Sequence, residues 1–154
     1  MRYRTVQEGV RVCILAAALV TMIAAGAEAA EFMSVLKDGV NLRSGPSTDH
    51  EILFELPAGY PLKVLAREKK WIKVSDYEND KGWIYASLVS ATPYVIVKTA
   101  EGNVRSGPGT NYDKIGKVVR DVILKKVKTD GDWFKVEHRE LTGGWIYRNL
   151  VWPQ

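Results

Sequence analysis

Cysteine is all but missing from this 154-residue chain, and its single copy, Cys13, lies within the first thirty residues. A disulfide framework and a cysteine-ligated zinc site are thereby excluded, as is a Cys–His nucleophilic pair beyond that segment. Histidine is nearly as scarce, with only His50 and His138, so any metal chemistry would rest largely on carboxylates. A strong excess of one charge is absent too. The 22 basic and 18 acidic residues are interspersed and leave a net +4, too thin an excess to argue for nucleic acid as a partner. No Gly-x-Ser-x-Gly elbow and no phosphate-cradling glycine loop occurs. Past the N-terminal segment, no ten-residue stretch keeps a helical apolar period. What the chain does have is 46% hydrophobic residues and five Trp, the composition of a folded protein rather than a disordered one. Its length fits one ordinary domain or two very small ones, and is short for a large enzyme.

The N-terminus carries Arg2, Arg4 and Arg11, then an almost wholly apolar run from Val12 to Ala25, then Ala27-Glu28-Ala29. A positive start, a short apolar centre and an Ala-x-Ala exit identify residues 1–29 as a signal peptide, cleaved after Ala29. As a helix that apolar run would rise about 21 Å, short of the roughly 30 Å hydrocarbon core, so a permanent span is the weaker reading. Cys13 opens the apolar stretch instead of following it, which argues against lipidation. The expected location is periplasmic or secreted, in the cell envelope, and the chain after cleavage is not expected to be an integral membrane protein. The absence of cysteine beyond Ala29 suits an oxidising compartment.

Sliding the chain against itself gives its strongest signal. Asn41-Leu42-Arg43-Ser44-Gly45-Pro46 returns as Asn103-Val104-Arg105-Ser106-Gly107-Pro108, and the same offset carries Trp71-Ile72-Lys73-Val74 onto Trp133-Phe134-Lys135-Val136. It also carries Gly82-Trp83-Ile84-Tyr85 onto Gly144-Trp145-Ile146-Tyr147. No gap is needed between Phe32–Val89 and Tyr94–Val151, and 19 of the 58 aligned positions are identical. The expected domains are therefore residues 32–90 and 94–154, joined at Ser90-Ala91-Thr92-Pro93.

Each copy reads as short runs of Val, Ile, Leu and aromatics separated by turn chemistry, such as Ser44-Gly45-Pro46-Ser47, Asn79-Asp80-Lys81-Gly82 and Thr129-Asp130-Gly131-Asp132. Gly59 aligns with Asp121, two residue types that tolerate the left-handed conformation of a tight turn. Trp71, Ile72, Lys73 and Val74 alternate as a strand with one buried face. Several short strands at this spacing predict an all-β unit, a small barrel closed so as to remove exposed edges.

Three blocks, Val40–Ser47, Trp71–Val74 and Gly82–Val89, each repeated in the second copy, resemble bacterial SH3 domains across essentially the whole chain after the signal segment. The resemblance implies two tandem SH3-like β-barrels in an exported protein, and because the residues offer no catalytic set the chain is expected to be non-enzymatic and to need no cofactor. It also implies that peptidoglycan, or its peptide stem, is the ligand in the cell wall. A rival reading is a periplasmic adaptor that holds an envelope protein through an extended, Pro-containing segment, as signalling SH3 domains do. Gly82–Val89 resembles the stretch that supplies the groove of those domains, and Trp71 matches their groove Trp. Tyr85 stands where they have Pro, and Leu88 where they have Tyr.

The candidate ligand-binding residues are Arg43, Trp71, Trp83 and Tyr85, with their partners Arg105, Trp133, Trp145 and Tyr147. If Ile72, Val74 and Ile84 point inward, the aromatics between them share an outer face. Arg43 and Arg105 precede the Ser-Gly-Pro turn; each either ties a loop carbonyl to the barrel or offers a fork to a ligand carboxylate. No catalytic set is expected: His50 aligns with Tyr112 and His138 with Asp76, so neither histidine recurs, and Ser44 and Ser106 are turn residues. The acidic clusters Asp76, Glu78, Asp80 and Asp130, Asp132 read as solvated loops, with no metal site expected.

Overall fold

The computed structural model describes residues 29–139 and 141–154; Cys13 and the signal-peptide reading of residues 1–29 lie outside that range, Ala29 excepted. The regular structure of the described residues is almost wholly β-strand, in two sheets that share no strand. The first holds β1 (Phe32–Val35), β2 (Val40–Arg43), β3 (Ile52–Leu56), β4 (Pro61–Glu68), β5 (Trp71–Ser75), β6 (Lys81–Tyr85) and β7 (Val89–Ser90). Its order is β3-β2-β6-β5-β4-β1-β7. The second repeats that order with β8 (Tyr94–Val97), β9 (Glu101–Arg105), β10 (Lys114–Val119), β11 (Ile123–Asp130), β12 (Trp133–His138), β13 (Leu141–Tyr147) and β14 (Val151–Trp152). One turn of 3₁₀ helix, Ala86–Leu88 or Arg148–Leu150, precedes the last strand of each sheet.

Both sheets wrap around their own apolar cores. In the first, Val40, Leu42, Ile72, Val74 and Ile84 are all 2% exposed or less, and Val35, Leu56, Leu62 and Val89 complete the cluster. Val95, Val97, Val104, Phe134, Val136, Ile146 and Val151 do the same in the second. Alternation along β5 and β6 puts every second side chain into these cores, which is why so short a unit can bury one. Among the described residues no buried side-chain polar atom lacks a partner. The ladder is less closed than a barrel free of edges: β3 and β7 are its two ends, and Leu56 of β3 and Val89 of β7 meet in the one core cluster. β3 consequently leaves Ile52, Leu53 and Phe54 exposed, and the matching β10 leaves Ile115 and Val119 exposed beside Lys114 and Lys117.

The left-handed turn expected at Gly59 and Asp121 is present, at φ +78° and +70°. A second such pair carries no matching signal in the sequence. Lys69 (φ +53°) occupies the β4–β5 turn in the conformation that Gly131 (φ +52°) adopts between β11 and β12, at a cost that a side chain bears and glycine does not.

Candidate functional site

Antiparallel pairing sets the outer face of each unit. Between β5 and β6, Trp71 lies opposite Tyr85 and Lys73 opposite Trp83; between β12 and β13, Trp133 lies opposite Tyr147 and Lys135 opposite Trp145. With Ile72, Ile84, Phe134 and Ile146 in the cores, these aromatics all face outward and are half-buried. The Trp71 and Tyr85 rings meet edge to face at 5.4 Å, and Trp133 and Tyr147 at 5.5 Å with a 53° tilt. The Trp133–Tyr147 pair forms one side of a pocket of about 530 Å³ in the second unit, completed by Asn103, Arg105, Gly109, Thr110, Asn111, Asp132 and Leu150. Three candidates from the sequence, Arg105, Trp133 and Tyr147, therefore converge on one cavity. Trp145 does not join them. It lines a different and larger cleft, and its counterpart Trp83 lies under the Lys73 ammonium at 6.0 Å.

The repeated arginine holds the wall of this pocket. Arg43 Nη1 donates to the Thr48 and His50 carbonyls at 2.9 and 2.8 Å, and Arg105 Nη1 donates to those of Thr110 and Tyr112 at the same distances. Of the two roles open to it from sequence, tying the loop is the one these bonds show. Two further participants escape a reading by repeat because they differ in chemistry between the copies. A Cβ built on Gly45 would collide with the His50 ring, and one on Gly107 with the Tyr112 ring. Glycine stands in Arg-Ser-Gly-Pro because a ring covers it, and His50 and Tyr112 are alternative lids for the same spot.

The units also touch one another. The Tyr77 hydroxyl donates to Asp121 Oδ1, the Tyr94 ring closes over Gly59, and Phe32 meets Trp152 edge to face at 5.3 Å. Burial and the bond to Asp121 push the Tyr77 hydroxyl up to about 12. Tyr60 is also raised, by burial first and then by Asp76, to which it donates at 3.2 Å. Asp76 further accepts from the Glu78 and Asp80 amides, so this acidic loop is held by its own backbone. Beside the junction opens a cleft of about 1130 Å³, reached by Asp38 and Ala58 from the first unit and by Tyr94, Lys125, Lys135 and Trp145 from the second.

Comparison with known proteins matches residues 38–90 to one family described as bacterial SH3 domain, and residues 98–153 to a second family of the same description. Over 128 residues the chain is 25% identical to a Bacillus subtilis protein named "Putative N-acetylmuramoyl-L-alanine amidase YrvJ", covering 76% of this chain and 24% of that one. It is 30% identical over 92 residues to an uncharacterized protein of Haemophilus influenzae, covering 60% of this chain and 39% of the other. The chain thus spans well under half the length of these relatives. Among solved structures, an NlpC/P60 family protein from Bacillus cereus aligns over 78% of this chain and 55% of its own, with a TM-score of 0.37 and 12% identity.

Proposed function

The chain belongs to the bacterial SH3 domain family, with two copies in tandem, and from that premise we propose that it is an exported, non-enzymatic protein of the cell envelope that binds peptidoglycan or its peptides. The observation that carries this reading is the pocket at Trp133, Tyr147 and Arg105, whose frame recurs around Trp71, Tyr85 and Arg43. A half-buried Trp–Tyr pair offers wide, rigid contact area at little rotamer cost, which suits a sugar face or an extended peptide. The relative named as an N-acetylmuramoyl-L-alanine amidase shares this part of the chain, and most of its own length lies outside the match. Purified sacculi provide the test. The full chain is expected to co-sediment with them, and the double variant Trp71→Ala/Trp133→Ala to lose about 1–3 kcal/mol of binding per site, the range of an interface hot spot. Undiminished co-sedimentation of that variant would place binding elsewhere. Failure of the parent protein to sediment, with binding of a Pro-containing peptide at the same pockets, would favour the adaptor role.

A further inference from the structure

The pocket of the second unit and the matching surface at Trp71, Tyr85 and Arg43, the first groove, share one frame to within a tenth of an ångström in their main hydrogen bonds. Ser44 N donates to Glu51 O and Ser106 N to Asp113 O, both at 2.9 Å; Ala86 N donates to Lys70 O at 2.8 Å, and Arg148 N to Asp132 O at 2.9 Å. The arginine bonds match as closely, and the Trp–Tyr centroids are 5.4 and 5.5 Å apart, although the rings cross at 77° in the first unit and 53° in the second. Asn41, Thr48 and Leu88 recur as Asn103, Thr110 and Leu150. A backbone held this constant makes any difference in ligand preference a matter of the side chains that changed.

Those changes are concentrated on the rim, and they alter charge. At the loop end, exposed Asp49 in the first unit becomes Asn111 in the second; Ser47 Oγ, which donates to Asp49 Oδ2 at 3.3 Å, becomes Gly109. At the tryptophan end, exposed Lys70 becomes Asp132, and Ala86 becomes Arg148. Asp132 and Arg148 face each other at 3.5 Å, so the second rim neutralises its own charge there. Lys70 has Ala86 in the place of that arginine, a residue with no charge to offer it. At these changed positions the first groove is thus acidic at one end and basic at the other, whereas the second has the Asn111 amide at one end and Asp132, paired with Arg148, at the other.

We propose that the two grooves read different chemistry on the same class of polymer. The first takes a short peptide segment that carries both an ammonium, facing Asp49, and a carboxylate, facing Lys70. The second takes an uncharged, amide-bearing segment. This rests on the reading of the aromatic pockets as binding sites and assigns Asp49, Lys70, Asn111 and Asp132 as the residues that set specificity.

The indole N–H signals of Trp71 and Trp133, followed by NMR in the intact protein, report each groove separately. Three probes suffice: the tetrapeptide Ala-Glu-Lys-Ala with free termini, the capped uncharged tetrapeptide Ac-Ala-Gln-Gln-Ala-NH2, and the N-acetylglucosamine tetramer. The charged peptide is expected to move the Trp71 signal at lower concentration than the Trp133 signal. Its affinity there should fall on the order of fivefold between 20 and 300 mM salt, as screening shortens the reach of the rim charges. The capped peptide or the sugar should favour Trp133 with little salt dependence, and which of the two does so identifies the source of the amide. Asp49→Asn/Lys70→Gln should abolish the salt dependence at Trp71, and Asn111→Asp/Asp132→Lys should create it at Trp133. Equal preference at the two signals, or swaps without effect, overturns this assignment and leaves wall binding standing. Silence of both signals while the protein still sediments with sacculi also overturns it, and silence without sedimentation overturns the wall reading as well.

Discussion

At single positions, the outward tryptophans and the inward isoleucines are expected to separate the proposed binding from stability. Ile84 is completely buried, so Ile84→Ala leaves a cavity and is expected to cost about 2–5 kcal/mol. Trp71→Ala removes a half-buried ring from the surface and is expected to cost less stability while weakening the ligand. Denaturant melts of both variants, repeated with Ile146→Ala and Trp133→Ala, check this; a Trp71 variant as unstable as the Ile84 variant would make the ring part of the core. This division is legible in the sequence because strand alternation fixes which side chains share a face. What escapes is chemistry that lacks a period. His50 and Tyr112 share no residue type, so nothing in the alignment marks them as ring lids on Gly45 and Gly107. Lys69 is equally silent, since only its partner Gly131 carries a turn signal and the lysine takes the same backbone shape without advertising it.

Among the elements, the turn between β5 and β6 in the first unit shows how an acidic cluster becomes structural. Its sequence reads as solvated carboxylates, but Asp76 caps the Glu78 and Asp80 amides and receives Tyr60, while Tyr77 reaches across to Asp121. Both phenols have folded-state pKa values above their ordinary 10, and Tyr77 stands at about 12. The neutral phenol is therefore favoured in the folded protein. Its stabilising effect is complete below pH 10, and is lost as pH rises from 10 toward 12 because the unfolded chain ionises first. Stability measured by denaturant titration should decline through that window, and Tyr77→Phe should make the decline shallower. In the second unit His138, at the end of β12, and Arg139 stand at the positions of Asp76 and Tyr77, so neither the carboxylate nor the phenol of this device recurs there. Repeats predict shared elements well; they are blind to interactions that a single copy makes.

For the molecule as a whole, two independent cores argue that each half folds alone, and the three pairings across the junction argue that it folds better in company. Polypeptides 30–90 and 92–154 should each melt cooperatively, at temperatures below that of the intact chain. The gap should be on the order of 4–8 °C for every kcal/mol that the junction contributes; halves that show no folded proton NMR spectrum would mean that the two repeats depend on one shared structure. The division into two units is plain from the repeat, whereas the junction is not, because Tyr94 against Gly59 and Phe32 against Trp152 pair positions that the offset never aligns. That junction has a bearing on polymers. If the proposed wall binding holds, a strand settled in one groove would find the other at a set distance instead of one sampling the volume a loose tether would allow, and the local concentration of the next polymer segment would depend on how well its repeat matches that distance. A wall strand of the right spacing would be held by both grooves and leave only when both let go, while free fragments short of that span would be held by one and exchange quickly. On the proposed wall-binding reading, the contact of Tyr94 with Gly59 would make the protein responsive to polymer length as well as to polymer chemistry.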